Sequence, residues 1–275
     1  MTTWNEGEYP IEAPLGVQGL IRLAWRGTVL ALVTFGCLAV LLLVRLVEKP
    51  LFGLRRPWTP FITQFVCQTA FRIIGMRRRV FGAVMPQFGA IVANHVSWLD
   101  IFALNASKRI YFVAKSEVAK WPGIGWLARA TGTVFINRNP REAALQKQIF
   151  QDRLHAGHKL LFFPEGTSTD GKRVLSFKPT LFAAFFEQPL RDEMWVQPVT
   201  LIYHAPDGAE PRFYGWWGDM DFAPHLLRTL AGVRQGGVDV VYHPPLKVSD
   251  FASRKELARA AEEIVRGGLD AAEMS

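Results

Sequence analysis

The chain has 275 residues, 49% of them hydrophobic, and a formal net charge of +8. Its length accommodates one large domain with additional segments, and its positive charge favours an anionic partner such as nucleic acid, a membrane surface or an acidic carrier. The two cysteines, Cys37 and Cys67, stand in apolar stretches without a motif, so we interpret them as reduced packing residues, not as a disulfide or a metal site.

The longest apolar stretch, residues 27–44, reads GTVLALVTFGCLAVLLLV and contains no charged residue. As a helix it would be about 27 Å long, which is just enough to cross the hydrocarbon core of a bilayer. The acidic residues Glu6, Glu8 and Glu12 precede it, whereas a cleaved signal peptide has a basic leader. A buried core helix is the alternative, but such a helix seldom lacks a polar face over this length. We therefore predict a membrane-inserted helix.

A second stretch, residues 58–75, is interrupted by polar side chains, which predicts an amphipathic helix at the membrane interface. The arginine run of residues 76–79 follows it, and we expect contact with anionic headgroups there, or else a solvated turn. The predicted organisation is an N-terminal tail at 1–21, membrane-anchoring helices at 22–79 and a catalytic domain at 80–275. Positive charges after the first stretch place that domain on the cytoplasmic side of the inner membrane.

Short apolar runs alternate with helical stretches from Val80 onward, which is typical of a layered α/β domain with a central mixed sheet. The predicted strands are residues 80–84, 89–93, 110–113, 134–137, 160–163, 195–203 and 238–242. The pair Asn139-Pro140 should open a helix that stops at Gly157. A last helix should begin at the capping box of residues 253–256 and stop near Gly267-Gly268.

His95 stands where a predicted strand ends and a helix begins, in the sequence IVANHVSWLDIFALNAS of residues 91–107. The simplest interpretation is a capping box from Ser97 to Asp100, with His95 as an ordinary loop residue. Positions five apart on a helix point about 140° apart, so His95 and Asp100 can meet only if the preceding loop folds back. The carboxylate would then fix one imidazole nitrogen and leave the other to act as a general base. The spacing does not fit zinc, and we predict no metal.

Two further segments place polar groups at strand ends. The sequence FPEGTSTDG, residues 163–171, predicts a tight turn with backbone N–H groups and hydroxyls after an apolar run. The sequence GTVFINR, residues 132–138, ends a strand in an arginine. Ligands bind at the carboxyl ends of strands in α/β sheets, so both segments are candidates for a site.

These motifs, in this order, resemble those of the glycerolipid acyltransferase family, which includes the lysophosphatidic acid acyltransferases. The family's first motif, Asn-His followed after four residues by Asp, is matched by Asn94, His95 and Asp100. Its second motif combines lysine, proline, glycine and a closing Phe-Ile-x-Arg, and is matched by Lys115, Pro122, Gly125 and residues 135–138.

The third motif of the family, Phe-Pro-Glu-Gly-Thr, is matched by residues 163–167, with a later Phe-Lys at Phe177-Lys178. Its fourth motif, a strand that contains proline, is matched by residues 196–199. The resemblance covers about residues 80–203, and several motifs in one order are far more specific than any one of them.

The resemblance implies transfer of a fatty acyl group from a thioester, acyl carrier protein or coenzyme A, to a lipid hydroxyl, without another cofactor. His95 would take the hydroxyl proton, and Asp100 would orient and stabilise the imidazolium. The resemblance also implies a set of substrate-binding residues. They are Asn94, Lys115, Arg138, Glu165, Gly166, Thr167, Ser168 and Lys178. Membrane lipids would be partners, because the lysolipid acceptor resides there.

One departure from the family pattern bears on the acceptor. Many members that form phosphatidic acid have an arginine after the third motif, where this chain has Ser168. Serine offers one neutral donor in place of a charged bidentate fork, although Lys172 and Arg173 could compensate. We therefore expect a lyso-aminolipid acceptor such as lyso-ornithine lipid, with 1-acyl-sn-glycerol-3-phosphate as the alternative.

Other classes of function fit less well. A hydrolase could use Ser97 as its nucleophile, but no Gly-x-Ser-x-Gly sequence surrounds it. A non-enzymatic membrane scaffold would leave the joint presence of His95, Asp100, Glu165 and Arg138 unexplained. Nucleic acid is not expected as a partner, because the sequence has no reading helix and no aromatic ribonucleoprotein motif.

Overall fold

The computed structural model describes residues 4–5, 9, 15–136 and 143–274. Its α-helices are α1 (Val17–Phe52), α2 (Thr59–Ile74), α3 (Leu99–Ser107), α4 (Ile124–Thr131), α5 (Ala143–His155), α6 (Leu190–Glu193), α7 (Phe222–Ala231) and α8 (Arg254–Glu273). Its strands are β1 (Arg77–Phe81), β2 (Gly89–Ala93), β3 (Tyr111–Lys115), β4 (Val134–Ile136), β5 (Leu160–Phe162), β6 (Trp195–His204), β7 (Gly237–Tyr242) and β8 (Leu246–Lys247). Short 3-10 helices lie at Ser116–Lys120, Pro179–Phe186 and Val248–Asp250.

The strands form one mixed sheet in the order β1-β7-β6-β2-β5-β3-β4, with β8 also paired to β6. Strand β6 is antiparallel to β7 and β8, and the other neighbours are parallel. The predicted layered α/β fold with a central mixed sheet is confirmed. Because β2, β5 and β3 are parallel neighbours, the segments that follow them meet at one edge of the sheet.

Hydrophobic side chains pack on both faces of the sheet, as the alternation along β2 illustrates. Ile91 and Ala93 join a core formed with α2 and α3, whereas Ala90 and Val92 join a second core formed with α8 and the 3-10 helix Pro179–Phe186. All four side chains are fully buried. A strand covered on both sides reads as a continuous apolar run, which is why it could be predicted from the sequence.

The arginine run is part of the sheet. We expected it to contact headgroups or to form a solvated turn, but Arg77 begins the edge strand β1, which pairs with β7. Arg79 donates to Asp239 at 2.6 Å, and Arg78 donates to Ser107 at 2.8 Å. These partners stabilise charged side chains on the edge strand. Charged side chains on an edge strand discourage its pairing with the strands of other chains.

Helix α1 is long and apolar enough to cross a membrane, and little of its apolar stretch is buried inside the protein. Both of its ends are bound to the rest of the chain. Near the beginning, Arg26 donates to the carbonyl oxygens of Leu230 and Gly232, at 3.0 and 2.6 Å, where α7 ends. Near the end, the buried carboxylate of Glu48 accepts from the backbone N–H and the hydroxyl of Thr59, at 3.0 and 2.7 Å, where α2 begins. Helix α1 therefore lies along the domain.

Helix α2 is amphipathic, as predicted. Cys67, Phe71 and Ile74 are buried against the core that includes α3, whereas Phe61 and Phe65 are exposed. The interfacial position of α2 and the boundaries at residues 21 and 79 remain predictions. Helix α1 itself begins at Val17, within the predicted tail.

The predicted end of the last helix is wrong. Ser253 caps α8 as expected, by accepting from the backbone N–H of Glu256 at 3.3 Å, but α8 continues through Gly267 and Gly268 to Glu273. A Cβ on Gly268 would lie 2.5 Å from the hydroxyl oxygen of Thr200 on β6. This glycine lets the helix approach the sheet and does not end it. The predicted start of α5 at Asn139-Pro140 lies outside the described residues.

The two neighbouring glycines of α8 provide a matched test of this packing. A Cβ on Gly267 would meet no atom within 4 Å, and alanine is favoured over glycine inside a helix by about 0.5–1 kcal/mol, so Gly267→Ala should slightly raise the free energy of unfolding. Gly268→Ala should lower it by about 1–3 kcal/mol, because α8 must move away from β6. Thermal unfolding of both variants measures the difference, and equal effects would contradict the packing role of Gly268.

Candidate active site

The loop between β2 and α3 folds back on itself. As a result, Nδ1 of His95 donates to Oδ2 of Asp100 at 2.6 Å. The contact that the sequence allowed is therefore present, and the two residues approach from the end of a loop and the first turn of a helix. About one fifth of the His95 side chain is exposed, whereas the Asp100 side chain is fully buried.

The Asp100 carboxylate is held by donors from three directions. Oδ2 also accepts from the backbone N–H groups of Val96 and Ser97, at 2.8 and 3.1 Å. Oδ1 accepts from the hydroxyl of Tyr203 on β6 at 2.7 Å. Burying a carboxylate is unfavourable unless such donors surround it, so these bonds fix both its position and that of the loop.

The imidazole of His95 stacks on the ring of Phe163, with centroids 4.0 Å apart and planes within 11°. Phe163 follows β5 directly, so the parallel pairing of β2 and β5 brings the two rings together. With Nδ1 bonded to Asp100, Nε2 remains available for a substrate proton. The arrangement can act as a general base.

Ser97 does not form the predicted capping box. Its hydroxyl oxygen is buried and has no hydrogen-bond partner in the part of the chain that the structure describes, and Trp98 occupies the cap position of α3. Only the reverse contact forms, from the Ser97 backbone N–H to Asp100. A hydroxyl in this state also lacks the contact with His95 that a serine nucleophile requires.

Glu165 binds the backbone of the His95 loop. Its Oε1 accepts from the backbone N–H of His95 at 2.7 Å, and its Oε2 accepts from that of Leu175, also at 2.7 Å. Burial raises the pKa of Glu165 to about 8, with a smaller contribution from the charge of Asp100, while the two N–H donors lower it. A buried carboxylate with both oxygens engaged holds the loop in place, and a contact of Glu165 with substrate stays a prediction.

Asn94 also has a framework role. Its amide nitrogen donates to the carbonyl of Leu201 at 2.9 Å, and its amide oxygen accepts from the N–H of Leu201 at 2.7 Å. The side chain is fully buried, and a contact of Asn94 with substrate stays a prediction. The two bonds continue the pairing of β2 with β6 by one residue beyond the strand.

The predicted tight turn after β5 is present. The Gly166 N–H donates to the Phe163 carbonyl at 3.0 Å, and Gly166 adopts a φ of 72°, which glycine tolerates best. Thr167 and Ser168 follow it, partly exposed, and Thr169 donates from its backbone N–H to the His95 carbonyl at 2.9 Å. The turn therefore lies directly against the loop that carries His95.

The predicted cations stand in different surroundings. Lys115 is exposed at the carboxyl end of β3, on the same sheet edge as His95, and Lys178 is partly exposed where its backbone N–H donates to Pro164 at 2.9 Å. Arg138 lies outside the described residues. Near Ser168, Arg173 donates to both oxygens of Asp170, at 3.2 and 3.1 Å. Lys172 lies 3.8 Å from a carboxylate oxygen of Glu273.

Sequence reasoning missed Tyr203 and the Phe163 ring as parts of the site. Phe163 begins the third motif, at the start of the tight turn, whereas Tyr203 lies near the end of β6, four residues beyond the fourth motif. The sequence signal for Tyr203 is that it follows Val199 and Leu201 at intervals of two residues, since alternate residues of a strand share one face. Contact with Asp100, however, depends on the order of the strands in the sheet.

Comparison with known proteins assigns these features to one family. The family model described as "Acyltransferase" matches residues 86–202. The lyso-ornithine lipid O-acyltransferase of Rhodobacter capsulatus is 58% identical over 266 residues, which cover 97% of this chain and 96% of that protein. The 1-acyl-sn-glycerol-3-phosphate acyltransferase of Neisseria gonorrhoeae is 43% identical over 124 residues, 45% of this chain and 47% of that protein.

A solved structure shares the fold. The crystal structure of the 1-acyl-sn-glycerophosphate acyltransferase from Thermotoga maritima superposes with a TM-score of 0.66 and covers 94% of this chain and 98% of that one. Sequence identity between the two chains is 20%, so this likeness concerns the fold alone.

Proposed function

The chain belongs to the acyltransferase family, and from this premise we propose that it moves a fatty acyl group from a thioester to the free hydroxyl of lyso-ornithine lipid. The observation that carries the proposal is the His95–Asp100 pair, with Nδ1 and Oδ2 2.6 Å apart, in a chain 58% identical over nearly its full length to a lyso-ornithine lipid O-acyltransferase. The chemistry of the pair supports acyl transfer, and the relative supports the acceptor.

In the proposed reaction, Nε2 of His95 takes the proton of the acceptor hydroxyl while the oxygen attacks the thioester carbonyl. The tetrahedral intermediate collapses, the carbon–sulfur bond breaks, and the imidazolium returns the proton to the departing thiolate. Asp100 keeps the ring in the tautomer with its proton on Nδ1 and stabilises the imidazolium. No acyl-enzyme forms, because the acceptor oxygen is the nucleophile.

Charges near Ser168 support an acceptor without a phosphomonoester. The two cations that could replace the family's arginine already have acidic neighbours, since Arg173 is paired with Asp170 and Lys172 lies near Glu273. A phosphomonoester carries nearly two negative charges and needs cations that are not neutralised in this way. The alternative acceptor, 1-acyl-sn-glycerol-3-phosphate, is favoured by the similarity to the Neisseria relative.

The thioester donor would be acyl carrier protein or coenzyme A. Both are anionic, and the net charge of +8 favours either of them at the surface of this chain. The two donors differ in size, and an assay with each of them separately identifies the one used.

Membrane association follows from the exposed apolar helix and the lipid acyltransferase relatives. We place the protein on the cytoplasmic face of the inner membrane. A helix of 36 residues is long enough to span the bilayer, but the contacts of Arg26 and Glu48 at its two ends favour a course along the membrane face. Its exposed side chains, together with Phe61 and Phe65 of α2, would enter the hydrocarbon.

The general base is tested by substitution. His95→Ala should reduce acyl transfer to background, and Asp100→Asn should reduce it by orders of magnitude, because the imidazole loses the partner that sets its tautomer. Transfer of labelled acyl chains to lyso-ornithine lipid measures both. His155→Ala, which removes an exposed histidine at the end of α5, is the matched control and should retain activity. Near-normal turnover of His95→Ala would refute the proposed role.

The identity of the acceptor is tested by substitution in the tight turn after β5. Ser168→Arg should shift preference toward 1-acyl-sn-glycerol-3-phosphate by roughly tenfold, because a charged bidentate contact exceeds a neutral hydrogen bond by about 1–2 kcal/mol. A competition assay with both lysolipids measures the ratio of kcat/KM. Ser176→Arg, eight positions further along the loop, adds the same charge as a control. The proposed acceptor is wrong if the unaltered protein already prefers 1-acyl-sn-glycerol-3-phosphate and Ser168→Arg leaves that preference unchanged.

The membrane-facing side of α1 is tested by polar substitution. Replacing three of its exposed leucines by glutamine should move much of the protein to the soluble fraction, because each leucine buried in hydrocarbon contributes about 1.5–3 kcal/mol. The three positions are Leu32, Leu43 and Leu46. A control variant carries glutamine at exposed apolar positions elsewhere, Leu145, Ile149 and Met274. Sedimentation of membranes gives the bound fraction, and unchanged binding of the first variant would contradict the assignment.

A further inference from the structure

We propose that Tyr203 is a positioning residue of the active site, whose hydroxyl holds the Asp100 carboxylate in the orientation from which it directs His95. The inference rests on the proposed acyl transfer and concerns a residue that none of the four sequence motifs contains. Three features support it: the division of donors between the two carboxylate oxygens, the anchoring of Tyr203 in the sheet, and its separation from the reacting nitrogen.

The two oxygens of Asp100 have different partners. Oδ2 accepts three bonds, from Nδ1 of His95 and from the backbone N–H groups of Val96 and Ser97. Among the residues that the structure describes, Oδ1 accepts from the Tyr203 hydroxyl, at 2.7 Å. All donors to Oδ2 come from one short loop, so these bonds alone do not fix the rotation of the carboxylate plane about that oxygen. The bond to Oδ1 comes from another element and fixes the plane of the group.

Tyr203 is itself firmly placed. It belongs to β6, which pairs with both β2 and β7 and is bound to the His95 loop through Leu201 and Asn94. Its ring packs against Tyr214, with centroids 5.7 Å apart. Burial and the charge of Asp100 raise the pKa of Tyr203 well above its usual value, so the hydroxyl keeps the proton that it donates.

Tyr203 acts through Asp100. Its hydroxyl contacts the carboxylate oxygen opposite the one that contacts His95, and it is therefore two hydrogen bonds away from the reacting Nε2. A donor at Oδ1 draws charge from the carboxylate. When the donor is removed, the full charge acts on the imidazolium, and His95 holds its proton more tightly. A residue that only fills space would have no such effect.

The test compares Tyr203→Phe with Tyr214→Phe. Both remove a buried hydroxyl from adjacent rings, but the hydroxyl of Tyr214 bonds to Gln235 and to the N–H of Gly236, away from Asp100. Tyr203→Phe should lower kcat by about tenfold, leave KM for the thioester unchanged and move the acid limb of kcat/KM to higher pH by ~0.5 or more. Tyr214→Phe should lower the melting temperature about as much as Tyr203→Phe does, but without moving the acid limb of kcat/KM.

Among the described residues, Glu165 is a second acidic side chain close to this pair, since the charge of Asp100 helps to raise its pKa, and its described bonds do not include Tyr203. If the ionisation of Glu165 determined the acid limb of kcat/KM, that limb would therefore not move in Tyr203→Phe. If Tyr203→Phe does not fold, incorporation of 3-fluorotyrosine at position 203 keeps the hydroxyl and the packing. This analogue is a stronger donor, so it should move the acid limb in the opposite direction, to lower pH.

The outcomes separate two failures. If His95→Ala retains activity, the proposed function itself is wrong. If His95→Ala is inactive while Tyr203→Phe matches the unaltered protein in kcat and in its acid limb, only the positioning role is refuted. The same conclusion follows if Tyr214→Phe moves the limb equally, or if fluorotyrosine leaves it in place.

Discussion

A buried carboxylate at Asp100 is the constraint on which the arrangement of the site depends. Removing such a group from water is costly, and the chain compensates by bringing four donors to it. These donors come from the loop after β2 and from β6. The requirement thus determines how the loop folds back, which nitrogen of His95 carries a proton and which face of β6 meets the loop. Reactivity and local structure have the same origin here.

Glu165 meets a similar requirement from the opposite side. Asp100 acts on the imidazole ring, whereas Glu165 acts on the backbone N–H of the same residue. His95 is therefore held at both its side chain and its main chain by carboxylates from two different segments. Phe163, two residues before Glu165, supplies the surface on which the ring stacks. A short sequence after β5 thus adds a second set of contacts that support the proposed base.

The sequence predicted what depends on local patterns. Strands β2 and β6 were found because apolar runs bounded by turn residues are visible in the chain, and the contact of His95 with Asp100 needs a loop of only a few residues. The contacts that sequence reasoning missed share a different cause. Asn94 reaches β6, the arginines of β1 pair with β7, and Gly268 fits against Thr200, so each depends on which strands are neighbours. Strand order in a sheet is set by contacts between distant parts of the chain, and a single sequence does not display it.

The contact near the beginning of α1 has a consequence for how the protein is made. Arg26 is synthesised early, but its partners at Leu230 and Gly232 follow about two hundred positions later, as the separations of 204 and 206 show. During that interval the catalytic domain is not yet complete, so the apolar helix cannot pack against it. Domains are synthesised at a limited rate from the N-terminus, so the bilayer is the surface available to it. The membrane would then serve as a template during biogenesis, and the catalytic domain would assemble already facing the lipids on which it works.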